Sequence, residues 1–181
     1  PYQVVDGAYK EYFGLSTNEV ISIKNNDGLA VIQKFDGNSM KEISKTEYKD
    51  FPKYSKIQRT IRTKDGLYFI FEAYNKSEKN FSLYARKINE EGKFEKSQKI
   101  LTTSRKVTDC GINAYGETSI GENPFAKGGT NFRIHQSFDQ SKILIEYRLT
   151  PESRRDAVNK DLLGFKVVNS DFSDLWSVEV E

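Results

Sequence analysis

Lys64-Asp65-Gly66-Leu67-Tyr68-Phe69-Ile70-Phe71 is the stretch from which the fold is read. Asp-Gly supplies the positive φ angles of a tight hairpin turn, and five consecutive apolar residues follow it. An apolar run of that length without alternation predicts a central strand covered on both faces. Working outward, residues 57–63 lead into the turn. Beyond the run, a polar turn at 75–80, a strand at 81–88, Glu91-Gly92 and a strand at 94–101 complete a four-stranded meander.

The same signal occurs twice more. Asp27-Gly28 precedes an apolar run at 29–32, and Asp139-Gln140-Ser141 precedes another at 143–145. Four and five residues beyond each Asp stand Val31-Ile32, Phe69-Ile70 and Ile143-Leu144; seven beyond stand Lys34, Glu72 and Glu146. The first unit then holds strands at 20–24, 29–34 and 40–43, with the polar, Pro52-containing stretch 46–54 as a loop. The third holds strands at 132–136, 142–149, 162–168 and 175–180, with a charged insertion at 150–161. The Asp-to-Asp separations are 38 and 74 residues. The longer one is explained by a Gly-rich insertion loop over 103–130, which contains Gly111, Gly116, Gly121, Gly128 and Gly129.

A four-stranded antiparallel unit returning about every 40 residues predicts an all-β fold of blade-like meanders, a partial β-propeller, with a β-sandwich as the alternative. Ser137-Phe138-Asp139-Gln140-Ser141-Lys142-Ile143-Leu144 resembles the Ser-Pro-Asp-Gly-Lys-x-Leu turn of TolB-like and WD-type bacterial β-propellers. Phe138 and Gln140-Ser141 depart from its Pro and Gly. The resemblance implies a non-enzymatic scaffold or protein-interaction role, a periplasmic or cell-envelope setting, and no catalytic residues. Closed propellers have about four to eight blades, and three units are readable here. The chain also begins at Pro1 and ends in an apolar strand. Residues 1–181 are therefore expected to be one all-β region, the N-terminal blades of a larger propeller. Its partners would be a protein or the remaining blades of the same parent chain.

Composition narrows the function classes. Lys plus Arg number 28 against 26 for Asp plus Glu, giving a net charge of +2. No strong field is available for nucleic acid, and the basic run Lys53, Lys56, Arg59, Arg62 and Lys64 reads as an exposed strand face. Cys110 is the single cysteine, so neither an intrachain disulfide nor a cysteine-based metal site is available. No apolar run approaches the roughly 20 residues of a transmembrane helix. Residues 169–174 offer oxygen donors in calcium-like spacing but lack the Gly and distant Glu of an EF-hand loop, and they read as a hairpin turn. No cofactor or metal is expected.

Three groups remain as candidates. His135, the only histidine, shares a strand face with Arg133 and Ser137, opposite Phe132 and Ile134. Residues two apart on a strand lie about 6.5–7 Å from each other, too far for His135 to activate Ser137. Glu72 and Glu146 hold the same repeat position, and paired carboxylates suit glycoside processing. They motivate the alternative function, a carbohydrate-binding or glycoside-processing propeller; ion pairs with Arg86 or Arg148 are the structural alternative. The insertion loop misses both a nucleophile elbow at 116–121 and a phosphate-binding loop at Lys127-Gly128-Gly129-Thr130. Its length nevertheless marks it as a binding loop, with Tyr115 and Phe125 as apolar anchors and Lys127 beside them.

Overall fold

The computed structural model describes residues 9–26, 29–52, 55–108, 131–150 and 162–180. The first sheet consists of β1 (Tyr9–Ser16), β2 (Glu19–Asn26), β3 (Leu29–Asp36) and β4 (Glu42–Tyr48), paired in that order. The second consists of β5 (Ser55–Thr63), β6 (Gly66–Asn75), β7 (Asn80–Ile88) and β8 (Phe94–Thr103). A two-residue strand, β9 (Val107–Thr108), then precedes the third meander. That meander is β10 (Phe132–Gln136), β11 (Lys142–Leu149), β12 (Leu162–Asn169) and β13 (Asp174–Val180). All pairings are antiparallel, and β9 pairs with β11 beyond the end of β10. The chain is all-β, built of three consecutive four-stranded meanders.

The strands of the second and third meanders fall where the sequence places them. The first meander differs. β1 goes beyond the expected strands, because Lys10, Glu11 and Gly14 interrupt any simple alternation. Residues 46–48, expected in a loop, close β4. That strand is a sheet edge whose residues are mostly polar, and Tyr48 is its contribution to the core. Thr103 and β9 take up the start of the expected 103–130 loop. Residues 109–130, 151–161 and the Asp27-Gly28 turn lie outside the described residues.

The sheets stack in chain order around two apolar layers. Leu67, Phe69 and Phe71 on one face of β6 pack with Ile21, Ile23 and Ile32 of the first sheet. Tyr68 and Ile70 on its other face pack with Ile143, Ile145 and Phe172 of the third. All five residues of the opening run are buried, and each fully buried side chain of this size contributes roughly 1.5–3 kcal/mol. The described residues thus hold two apolar interfaces between sheets.

The repeat register has a geometric meaning. The residue four beyond each Asp faces backwards along the stack: Phe69 toward the first sheet and Ile143 toward the second. The residue five beyond faces forwards, as Ile32 does toward the second sheet and Ile70 toward the third. Leu144 therefore faces outward from the last sheet. Within that sheet Tyr147 lies directly over Gly164, its cross-strand partner, where an added Cβ would come within 2.1 Å of the ring.

Candidate functional site

The first strand of each meander is a sheet edge, and the three edges meet. Arg59 Nη1 donates to the Ile134 carbonyl at 3.0 Å, and Gln136 Nε2 donates to the Arg62 carbonyl at 2.7 Å. Both contacts advance in the same sense along β5 and β10, so these strands run parallel. Arg62 Nη2 also donates to the Gly14 carbonyl on β1. Side chains thus satisfy edge carbonyls that no neighbouring strand reaches. At the end of the junction, Thr63 Oγ1 donates to the Ser170 carbonyl at 2.9 Å and the Ser170 hydroxyl donates to Asp65.

Glu72 lies in this region, on the face of β6 that looks toward the third sheet. Its side chain is buried, and Asn131 Nδ2 donates to both carboxylate oxygens at 2.7 and 2.9 Å. Burial raises its pKa above the usual carboxylate range, opposed by the Asn131 hydrogen bond and by the Lys56 charge. Lys56 stands directly across the ladder on β5. Glu146 lies elsewhere: it shares the outward face of the third sheet with Leu144, and its Oε2 is 3.3 Å from His135 Nε2. The two carboxylates lie on opposite sides of the third sheet and do not flank one cleft.

Glu72 takes Asn131 and the Lys56 charge in place of the expected Arg86, and Glu146 has the basic neighbour His135 across the ladder. Arg86 instead donates to Asp50 at 3.0 Å and to the Glu95 carbonyl at 2.9 Å, its guanidinium packed against Tyr48, Phe51 and Phe94. It clamps the connection between the first two sheets. His135 is exposed opposite buried Phe132 and Ile134, as its strand position predicts. Ser137 takes no part with it: the hydroxyl donates to Asp139 at 2.7 Å and accepts the Lys142 amide at 2.9 Å. Residues 169–174 form the expected turn, with Asp171 accepting the Ser173 amide and hydroxyl. Among the described residues no cluster of three or more His, Cys, Asp or Glu could hold a metal ion, and no helix is long and apolar enough to cross a membrane. Tyr115, Phe125, Lys127 and Cys110 lie outside the described residues.

Polar atoms that sequence reading missed stand at the same junction. Gln58 is the extra residue of a bulge in β5, between Ile57 and Arg59. It is 6% exposed, and neither Nε2 nor Oε1 has a hydrogen-bond partner. Leaving such groups unpaired costs about 1–3 kcal/mol each. Glu11 Oε2 on β1 is also buried and unpaired. The cross-strand partner of Glu11 is Ile23, a core residue facing the second sheet, so Glu11 looks toward that sheet as well. The sequence signal is the polar run Gln58-Arg59-Thr60 between Ile57 and Ile61, which breaks the alternation where the bulge lies.

Two further features lie away from the junction. The outward face of the third sheet carries Leu163, Trp176, Val178 and Val180, exposed by 43, 53, 44 and 42%. A cavity of about 720 Å³ lies at the β6–β7 turn, lined in part by Pro52, Tyr74, Lys76, Ser77 and Tyr84. The Tyr84 ring stacks on Phe71 with centroids 5.2 Å apart.

No family model matches the chain, and no curated protein matches it. Among solved structures the chain is similar to the crystal structure of an endo-arabinase from Bacteroides thetaiotaomicron, at 12% identity and a TM-score of 0.45. The match covers 93% of this chain and 58% of that one.

Proposed function

We propose that the three meanders are successive blades of a β-propeller of the TolB-like or WD-type kind, serving as a non-enzymatic scaffold that holds a partner on the outward face of the third sheet. The observation that carries this is the apolar surface of that face. Leu144 occupies the repeat position of Ile32 and Ile70, each of which is covered by the next four-stranded sheet. Leu163, Trp176, Val178 and Val180 extend the same face across β12 and β13. A sheet of the same type is the partner that fits, since two such interfaces already exist within the chain. Trp176 is the single tryptophan and reports directly on the face. In the purified chain we expect concentration-dependent association, measured by light scattering, with a blue shift of Trp176 emission. Trp176→Asp with Val178→Asp should abolish both and leave the thermal midpoint nearly unchanged. A wild-type chain that stays monomeric at hundreds of micromolar, with emission independent of concentration, would remove the support for this reading.

A second reading, carbohydrate binding, is favoured by the open pocket beside Tyr84, where an aromatic side chain and a polar turn line one concave surface. Tyr84→Ala should weaken binding on a glycan array, and an array silent for the wild-type chain argues against it.

A further inference from the structure

We propose that the meeting line of the first strands is a binding site for a small neutral polyhydroxylated ligand, read by the Gln58 amide and the Glu11 carboxylate. Neither the apolar outer face nor the Tyr84 cavity enters into it. Two independent observations converge on this line. The first is the convergence of β1, β5 and β10, whose edge carbonyls are capped by Arg59, Arg62 and Gln136 over part of their length. The second is the Gln58 side chain, more than nine-tenths buried, with both ends of its amide unpartnered.

Glu11 stands on the strand that Arg62 contacts. Buried polar groups without partners are rare in folded proteins and each needs a cause. Bulges are enriched at sheet edges and beside binding sites, where they re-aim a side chain. The chemistry of the ligand follows from the groups left over. Gln58 Nε2 offers donors, while Gln58 Oε1 and Glu11 Oε2 offer acceptors. Hydroxyl groups both donate and accept, so a polyol or sugar matches the set. An anion would meet Glu11, and a cation would leave the Gln58 donors unmatched.

The test uses the full chain labelled with nitrogen-15, following the Gln58 side-chain amide by nuclear magnetic resonance while maltotriose or xylotriose is added to millimolar concentration. We expect a saturable shift of that amide with at least one trisaccharide. Gln58→Leu should weaken binding at least tenfold while the thermal midpoint holds or rises, because the substitution removes unpaired polar atoms from a buried place. Should Gln58→Leu fail to fold, Gln58→Glu keeps the shape without the donor and should lose binding equally. Undiminished affinity in the folded variant would overturn the proposal. So would a Gln58 amide that exchanges magnetisation with a bound water only and responds to neither sugar.

Discussion

Asp139 shows how much a single turn residue does here. Its carboxylate accepts the Ser137 and Ser141 hydroxyls and the Ser141 amide, and these bonds hold its pKa down to about 2. The fold therefore favours the ionised form. The contribution is complete above the ordinary value of 3.8 and is lost as pH falls through about 2. Asp36 and Asp171 are lowered for the same reason, through Ser39 and Ser173. We expect the urea midpoint to fall over this acid range and Asp139→Asn to flatten that fall in part, as equilibrium unfolding between pH 2 and 5 would show. Gln140 next to it adopts φ 58°, the left-handed conformation that Gly accepts most readily. At this scale the turn was legible, because Asp and Ser spacing encodes its hydrogen bonds locally. Gln58 was not, because nothing adjacent to it in sequence reveals that its amide is left without a partner.

At the level of the elements, the clearest dependence is that of β11 on β12. Tyr147 fills the space above Gly164, closes against Phe132 and donates to Glu179 at 3.2 Å. Gly164→Ala would drive a methyl group into the ring, an overpacking that costs about 1–3 kcal/mol. Chemical denaturation should show that loss, and adding Tyr147→Ala should yield less than the sum of the two single effects. The strands of the second and third sheets were readable because their apolar runs are bounded by Asp, Asn and Gly. β1 and β4 were read poorly because edge strands need little apolar surface. The same applies to β9, whose two residues become a strand only because β11 continues past the end of β10.

For the whole molecule, the decisive property is that the middle sheet is covered on both sides. Amide hydrogens of β6 are accordingly expected to exchange most slowly among the described residues, and those of β4 and β13 fastest, as hydrogen exchange would measure. The stacking order followed from the shared register behind each Asp, since that register fixes which side chains look forwards and which backwards. Glu72 and Glu146 share a repeat position yet belong to different interfaces for the same reason: equivalent residues on successive sheets point the same way along the stack, not toward each other. Every main ladder joins strands adjacent in the chain, so synthesis delivers the layers one at a time. At roughly 5–20 residues per second, the second layer waits for several seconds with Tyr68 and Ile70 uncovered before the third emerges from the ribosome. During that interval the nascent chain displays an aromatic sheet surface, so slower translation across β9 to β13 is expected to lower the soluble yield, as expression from genes recoded there would measure.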